Sequence, residues 1–179
     1  QPVFTALGAR RVVSLGNLKT DKPPPPVDAP ALAALRAQIG QRRVIGAIQT
    51  HPTDEETFAA AYRRLKADHP DVLGLIVLKH PARGAAVQRD LQAMGLRVSL
   101  RSRHDPITPD TDIYIADTLG EMGVWYSLCP FGLIGGSLFP FGGQNPYEGA
   151  HFGFVPLYGP HMFNFPDTTA LLEEHDVAV

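Results

Sequence analysis

The sequence predicts an α/β fold in which helices cover both faces of a parallel sheet. Short apolar runs alternate along the chain with segments whose apolar residues recur at helical spacing. Residues 72–78 form an uninterrupted apolar run, as expected for a strand that is buried on both faces. Regular alternation of this kind favours parallel strands that are joined by helical crossovers.

The first part of the chain stands apart from this alternation. Residues 11–15 form a short β-branched run, which predicts a strand. The four consecutive prolines at 23–26 exclude both helix and sheet pairing, and they predict an extended spacer. We therefore divide the chain into residues 1–27, an opening strand and proline-rich spacer, and residues 28–179, the sheet domain.

The sheet domain is predicted to begin with a helix. Pro30 suits a first helical turn, and Gly40 suits the position after the last one. The remaining helices are predicted at residues 54–68, 82–94, 119–127, 146–151 and 166–174. The strands are predicted at residues 44–49, 72–78, 96–100, 113–116, 132–135 and 155–158, with a short final one at 177–179.

Composition limits the class of partner. A chain of 179 residues with 44% hydrophobic content is long enough for one buried core. Its formal net charge of -2 gives no general attraction to nucleic acid, so we expect a small anion held by a few placed residues. The lone Cys129 excludes an internal disulfide framework and fits a reducing compartment.

The start of the chain predicts a soluble piece of a longer protein. No apolar run reaches the roughly 18 residues that a membrane-spanning helix needs. The first residues lack the charged, apolar and small-residue regions of a signal peptide. The chain begins with Gln1 rather than Met, which we interpret as the start of a fragment.

Polar residues follow four of the predicted strands. They are Gln49-Thr50-His51, Lys79 to Arg83, Asp117-Thr118 and Gly159 to His161. Because the carboxyl ends of parallel strands share one edge of a sheet, we expect these groups to gather at one rim, where ligands bind. Lys79, His80 and Arg83 would hold a phosphate or carboxylate there. An equally weighted alternative is that these three side chains are solvated charges at the start of a helix.

Residues 134–165 combine two double glycines with a helix start. Gly135-Gly136 and Gly142-Gly143 let backbone N–H groups approach an anion, and a nearby helix directs the positive end of its dipole at the same space. We interpret this segment as a nucleotide or sugar-phosphate pocket. The segment Asn145-Pro146-Tyr147-Glu148 also fits a capped helix start.

Other polar residues have a structural alternative. Thr118-x-x-Glu121 has the spacing of a capping box, and on the residues alone we favour that interpretation. His51 and His161 either donate to an anion or cap a turn. The seven histidines show no spacing suited to zinc, so no metal is expected.

Several motifs, taken together and in order, resemble the carboxyl-terminal half of the bacterial Kdo transferases, which add 3-deoxy-D-manno-octulosonic acid from CMP-Kdo to the lipid A precursor. The matching segments are GNLKTD (16–21), QTH with the acidic residues that follow (49–56), LKHPAR (78–83), DTLGEM (117–122), GGSLFPFGGQNPYE (135–148) and GPHMFNF (159–165).

The resemblance implies the second of two Rossmann-like domains in a GT-B glycosyltransferase. This domain binds the donor CMP-Kdo, and no other cofactor is implied. The acceptor site for the lipid A precursor, the general base and the membrane-contacting surface would belong to a missing amino-terminal domain. The whole enzyme would act at the cytoplasmic face of the bacterial inner membrane, in lipopolysaccharide biosynthesis, and the fragment alone would be inactive.

The resemblance also implies roles for individual residues. Lys79 and Arg83 would lie near the phosphate or carboxylate of the donor, residues 117–121 would present a helix start to CMP, and Glu148 would bind the ribose. The full set of implied donor-binding residues is His51, Lys79, His80, Arg83, Asp117, Thr118, Gly120, Glu121, Gly135, Gly136, Ser137, Asn145, Glu148 and His161.

Three sites depart from the family pattern. The chain reads His51-Pro52-Thr53-Asp54 where the family usually has His-Glu-Gly-Glu, Lys79 stands where Arg is common, and Gln144 stands where His is frequent. Alternative functions are another GT-B glycosyltransferase, a nucleotide-sugar epimerase, or a non-catalytic nucleotide-binding module.

Overall fold

The computed structural model describes residues 2–13 and 23–178. Its α-helices are α1 (Pro2–Ala6), α2 (Ala29–Ile39), α3 (Asp54–Asp68), α4 (Gly84–Ala93), α5 (Met122–Leu128) and α6 (Pro166–Glu174). Its strands are β1 (Val44–Thr50), β2 (Leu73–Leu78), β3 (Val98–Leu100), β4 (Ile113–Ala116), β5 (Phe131–Ile134) and β6 (Val155–Leu157). Two short 3-10 helices span Pro81–Arg83 and Glu148–Phe152.

The six strands form one sheet in the order β3-β4-β2-β1-β5-β6, and every neighbouring pair is parallel. The predicted fold class is therefore confirmed. The chain runs outward from β1 through β2 to the β3–β4 edge, and it then returns to place β5 on the other side of β1. The strand order thus reverses between β1 and β5, so the loops that follow these two strands flank the place where such sheets bind ligands.

Apolar side chains pack on both faces of this sheet. One cluster holds Leu35 of α2 and the fully buried Trp125 of α5 against β1, β2 and β4. The other cluster packs Phe58 and Tyr62 of α3 and Leu91 of α4 against the opposite face. Because the central strands are covered twice, nearly every residue of β1 and β2 is buried, which explains why their sequences are continuously apolar.

Residues 2–13 differ from the prediction. Residues 2–6 form the short helix α1, and residues 11–13 of the predicted first strand have no regular structure. Positions 14 and 15 of that strand, and the segment GNLKTD at 16–21, lie outside the described residues. The side chains of residues 3–11 are all exposed, so no core contact imposes a strand on this part of the chain.

The prolines at 23–26 lack regular structure, as predicted, but they are packed against the sheet domain. A Cβ atom at Gly123, near the start of α5, would lie 2.4 Å from the carbonyl oxygen of Pro26. This close approach requires glycine at position 123 and shows that the proline segment packs over the amino end of α5.

Smaller differences concern element ends. Residues 177 and 178 do not form the predicted final strand. The helix predicted at 119–127 begins only at Met122, since Gly120 adopts a left-handed turn with φ of 84°. The helix predicted at 146–151 is a 3-10 helix that begins at Glu148. Among the described residues, none of the helices combines the length and apolar character needed to span a bilayer.

Candidate functional site

The loops after β1 and β5 touch at the point where the strand order reverses. The N–H of Gly135 donates to the carbonyl oxygen of Ile48 at 2.8 Å, which extends the parallel pairing past the end of β5. A Cβ atom at Gly135 would lie 2.1 Å from the carbonyl oxygen of Gln49. Any side chain at position 135 would therefore force these two loops apart.

The carboxylate of Asp54 links the same two loops. Asp54 is the first residue of α3 and is fully buried. Its Oδ2 accepts hydrogen bonds from the backbone N–H groups of His51, at 2.8 Å, and Gly136, at 2.7 Å. Its Oδ1 is buried with no hydrogen-bond partner among the described residues. Burial raises the pKa of Asp54 above its usual value, although both N–H groups oppose that shift.

The ring of His51 contacts two residues of the glycine-rich segment. It stacks on Phe141, with ring centroids 4.9 Å apart, and its Nε2 lies 3.0 Å from Nε2 of Gln144. Burial lowers the pKa of His51, which favours the neutral ring. A neutral ring accepts at Nε2 the hydrogen bond that the Gln144 amide donates.

A cavity of about 500 Å³ opens beside these loops, beyond the carboxyl ends of β1 and β2. Gln49 and Lys79 form one wall of the cavity, and the prolines at 23–26 cover another. Gln49 is a bulged residue in the left-handed region, with φ of 56°, which sets it apart from the regular run of β1. The other lining residues are Gly120, Met122, Gln144, Asn145, Tyr147, Glu148, His151 and Phe165.

Two charged side chains give this cavity its electrostatic character. Glu148 is half-buried, and its Oε2 lies 3.4 Å from the hydroxyl oxygen of Tyr126, to which that hydroxyl donates. Burial, with the adjacent Glu148 charge, raises the pKa of Tyr126 well above its usual value. Lys79 is exposed, with Nζ 3.4 Å from Oε1 of Gln49, and it forms no ion pair with any described residue. Among its described lining residues, the cavity therefore offers one carboxylate, Glu148, and one lysine without an ion pair, Lys79.

Four residues of the predicted set, Lys79, Gly120, Asn145 and Glu148, line this cavity. Asn145 also shapes the loop, because its Oδ1 accepts a hydrogen bond from the N–H of Tyr147 at 3.1 Å. This bond forms a side-chain turn before the 3-10 helix rather than the helix cap that the sequence suggested. The role of these four residues as contacts of the donor stays a prediction.

Arg83 lies apart from the cavity lining and has a protein partner. Its guanidinium donates to both carboxylate oxygens of Glu55, at 2.8 and 3.3 Å. Glu55 is 4% exposed and also accepts a hydrogen bond from the hydroxyl of Thr50. The pair thus ties the start of α3 to the residues before α4, and this structural role does not need a ligand.

The segment 117–121 is similarly occupied by protein contacts. Asp117 accepts hydrogen bonds from the N–H and hydroxyl of Ser102, at 2.8 and 2.6 Å. Glu121 pairs with Arg101, with a shortest distance of 2.6 Å. The Thr118 hydroxyl donates to the Glu121 carboxylate, and α5 begins only after Glu121. The capping box predicted for this segment is therefore not formed.

Ser137 is fully buried and joins chain segments. Its hydroxyl donates to the carbonyl of Ile134 at 2.5 Å and accepts from the N–H of Gly159 at 3.0 Å. The N–H of His161 donates to the Ser137 carbonyl at 3.0 Å.

His80 is exposed and meets the ring of His51 edge-on, at 5.9 Å between centroids. His51, His80, Ser137 and His161 surround the site without lining the cavity.

The glycine-rich loop has contacts within the protein that explain its composition. Gly136 and Gly143 both have positive φ, and the N–H of Gly143 donates to the carbonyl of Gly136 at 2.9 Å. Gly142 also has positive φ, and a Cβ atom there would meet Asn164. Packing alone thus accounts for the four glycines, so their crowding is not by itself evidence of a ligand.

Several lining residues were absent from the predicted set. Gln49, Gln144 and Tyr147 adjoin predicted residues in the sequence, so proximity to the motifs was an available signal. The prolines, Met122 and Phe165 reach the cavity only through tertiary packing, which no local pattern reveals. Within the described residues, no group of three or more His, Cys, Asp or Glu side chains could hold a metal ion.

A separate cavity of about 480 Å³ lies at the opposite ends of the strands, on the amino-terminal side of the sheet. It is lined mainly by apolar residues at the amino ends of β1 and β5, including Val44 and Phe131, and by Arg36, Arg42 and Arg43. Ligands of doubly wound sheets bind at the carboxyl ends of the strands. The cavity that contains Glu148 is therefore the better candidate.

Comparison with curated proteins gives consistent matches. The 3-deoxy-D-manno-octulosonic acid transferase of Rickettsia felis is 32% identical over 177 residues, which cover 98% of this chain and 38% of that protein. The enzyme of the same name from Bordetella pertussis is 34% identical over 164 residues, covering 89% of this chain and 38% of that protein. The chain thus spans about two fifths of the length of these relatives. No protein-family model matches it.

A solved structure shares the fold. The crystal structure of the C-terminal CMP-Kdo binding domain of WaaA from Acinetobacter baumannii superposes with a TM-score of 0.77 and 27% sequence identity. The match covers 84% of this chain and 80% of that domain. The sequence matches and this structural match agree with the motif resemblance, and they show that the chain belongs to the 3-deoxy-D-manno-octulosonic acid transferase family, in which it corresponds to the carboxyl-terminal, Rossmann-like half of a GT-B fold.

Proposed function

We propose that the cavity beside Glu148 binds the nucleotide of CMP-Kdo, and that the chain is the donor-binding domain of a Kdo transferase. Relatives that carry the transferase name match nearly the whole chain, and the structural neighbour is a CMP-Kdo binding domain. The observation that carries the proposal is the joint presence, in one cavity at the switch point of the sheet, of Glu148 and of Lys79, which forms no ion pair with a described residue.

Glu148 suits the ribose of the donor. A carboxylate accepts hydrogen bonds from two vicinal hydroxyl groups, and such charge-assisted bonds are stronger than neutral ones. Tyr126 donates to Oε2 of Glu148 from the buried side, which restrains the carboxylate at the cavity wall. Oε1 of Glu148 makes no hydrogen bond with any described residue and remains for a ligand hydroxyl.

Lys79 suits the phosphate of the donor. Its ammonium group lies at the cavity wall, and no described carboxylate neutralises it. A lysine binds phosphate as a point charge, so it tolerates more than one phosphate orientation, whereas arginine pairs in a fixed plane. Arg83 is held by Glu55, and in this proposal it supports the loop while Lys79 contacts the phosphate.

We propose that the activity of the whole enzyme depends on residues outside this chain, which spans about two fifths of the length of its relatives. We propose that the full-length protein transfers Kdo to a lipid A precursor at the cytoplasmic face of the inner membrane, with no cofactor beyond the substrate CMP-Kdo. The acceptor site, the general base and the membrane contact would lie in the remaining part of the enzyme. The 179-residue chain would bind donor weakly and transfer nothing.

Calorimetric titration tests the donor assignment. The purified chain should bind CMP more tightly than UMP and should bind no UDP-sugar more tightly than CMP. A preference for uridine nucleotides would contradict the proposal and would indicate a GT-B glycosyltransferase or epimerase with another donor. Kdo transfer by the isolated chain would contradict the proposed division of roles.

A further inference from the structure

We propose that Asp54 is a positioning residue that holds the side chain of Gln144 at the cavity wall, and that Gln144 contacts the bound nucleotide. The inference rests on the proposed function for its ligand. Neither residue belongs to the set that the sequence motifs single out as donor contacts.

The first connection runs from Asp54 through His51. Oδ2 of Asp54 accepts the N–H of His51 at 2.8 Å, which fixes the backbone of the loop after β1. The His51 ring is held between Phe141 and the edge of His80, and its Nε2 meets the Gln144 amide at 3.0 Å. The orientation of the amide therefore depends on a ring whose backbone is anchored by Asp54.

The second connection runs through the glycine-rich loop. The same Oδ2 accepts the N–H of Gly136 at 2.7 Å, and the carbonyl of Gly136 accepts the N–H of Gly143 at 2.9 Å. Gly143 directly precedes Gln144. Asp54 thus fixes the backbone of Gln144 by one route and its side-chain amide by the other, and both routes converge on a residue that lines the cavity.

The arrangement leaves Gln144 equipped for a ligand. Its Nε2 is engaged by His51, whereas its Oε1 makes no hydrogen bond with any described residue. An amide oxygen accepts a hydrogen bond from an O–H or N–H group. Gln144 lies in the same short segment as Glu148, which places its contact on the nucleotide part of the donor.

The inference is tested by a double-mutant cycle with CMP as the probe. Gln144→Ala should weaken CMP binding about fivefold, the usual effect of one lost hydrogen bond. Asp54→Ala should weaken it to a similar extent. Because Asp54 acts through Gln144, the double variant should also lose only about fivefold, whereas independent effects would multiply to about twenty-five-fold.

Matched variants separate positioning from loss of stability. Asp54→Asn keeps a carbonyl oxygen for the two N–H groups and should bind within about twofold of the original chain. Asp105→Ala removes a carboxylate that accepts the N–H of Leu100 at 3.0 Å, away from the cavity, and should leave CMP affinity unchanged. If Asp54→Ala does not fold, Asp54→Ser, whose hydroxyl is too short to serve both loops, takes its place in the cycle.

NMR spectroscopy provides a measurement without ligand. In the original chain the ¹⁵N shift of His51 Nε2 should be that of an accepting nitrogen, and Asp54→Ala should shift it and speed solvent exchange of the Gln144 side-chain amide. Unchanged spectra, or multiplicative losses in the cycle, would overturn the positioning role. Failure of the original chain to bind CMP would instead overturn the proposed function, and with it the contact between Gln144 and the nucleotide. The spectra recorded without ligand would still decide whether Asp54 positions Gln144.

Discussion

The hydroxyl of Tyr126 donates to the carboxylate of Glu148 across 3.4 Å, at the wall of the cavity beyond the sheet. Tyr126 is buried, so Glu148 is held from behind by a group that cannot reach solvent. We propose that the ribose binds at the side of this carboxylate that faces the cavity.

Glu148→Ala should weaken CMP binding by more than about 1 kcal/mol, as expected when a charge-assisted hydrogen bond is lost. Calorimetry checks this, with Glu174→Ala at the exposed end of α6 as a control that should bind normally. Unchanged affinity in a folded Glu148→Ala chain would leave Glu148 with a structural role alone, at the start of its 3-10 helix.

Lys79→Ala should weaken CMP binding and make it less sensitive to salt, because the variant loses an exposed charge that attracts phosphate. Thermal stability should hardly change, since Lys79 forms no ion pair with a described residue. The measurement is CMP affinity at several salt concentrations.

Arg83→Ala provides the contrast to Lys79→Ala. It leaves the buried carboxylate of Glu55 without its bidentate partner, so it should lower the free energy of unfolding by about 1–3 kcal/mol. The salt dependence of CMP binding should be retained. An unaltered salt dependence in Lys79→Ala, or its loss in Arg83→Ala, would reverse the assignment of the phosphate contact.

Thr53→Gly should stabilise the protein by about 1 kcal/mol. Thr53 has φ of 79°, a left-handed conformation that costs a β-branched residue free energy and that glycine adopts readily. The resemblance places a glycine at this position in the family, and the structure keeps the glycine-like backbone. Urea unfolding measures the gain, and Thr53→Ala should recover only part of it. Equal stability of the glycine variant and the original chain would show that the loop is not strained.

Asp112 should make the protein lose stability in acid. Burial alone would raise its pKa, but hydrogen bonds from Lys66 and from the N–H of Arg97, together with their charges, lower the pKa below its usual value. A carboxylate with a lowered folded-state pKa stabilises the protein above its unfolded pKa, and this contribution is lost as the pH falls through the folded-state pKa. The free energy of unfolding should therefore decrease below about pH 4.

Urea unfolding from pH 7 to pH 3 measures this effect. The decrease should be shallower in Asp112→Asn, and it should be nearly unaffected in Asp110→Asn, whose carboxylate is 77% exposed and pairs with Arg97 at the surface. Parallel pH profiles for Asp112→Asn and the original chain would contradict the prediction.

The sheet could be predicted from the sequence because burial dictates it. Strands covered on both faces, such as β2, need continuous apolar runs, and glycine or proline marks their ends. The predicted opening strand was wrong for residues 11–13, the part of it that the structure describes, because β-branched propensity alone does not form a strand without a partner. Residues 11–13 are largely exposed and meet no sheet edge.

The candidate site could be predicted only in part, since a charged side chain pairs with whatever the fold brings near it. Glu148 and Lys79 line the cavity. Arg83 and Glu121 carry equally suggestive charges, but Glu55 and Arg101 meet them from other segments. Those pairings join residues 28 and 20 positions apart, which no local motif encodes.

Mapping of CMP binding by NMR chemical-shift changes decides where the nucleotide binds, because one cavity lies at the carboxyl ends of the strands and another at their amino ends. The proposed nucleotide site predicts that CMP shifts resonances at Lys79, at Gly120 and Met122, and along residues 144–148. Shifts confined to the opposite cavity, around Arg43 and Phe131, or no saturable shifts at all, would contradict it.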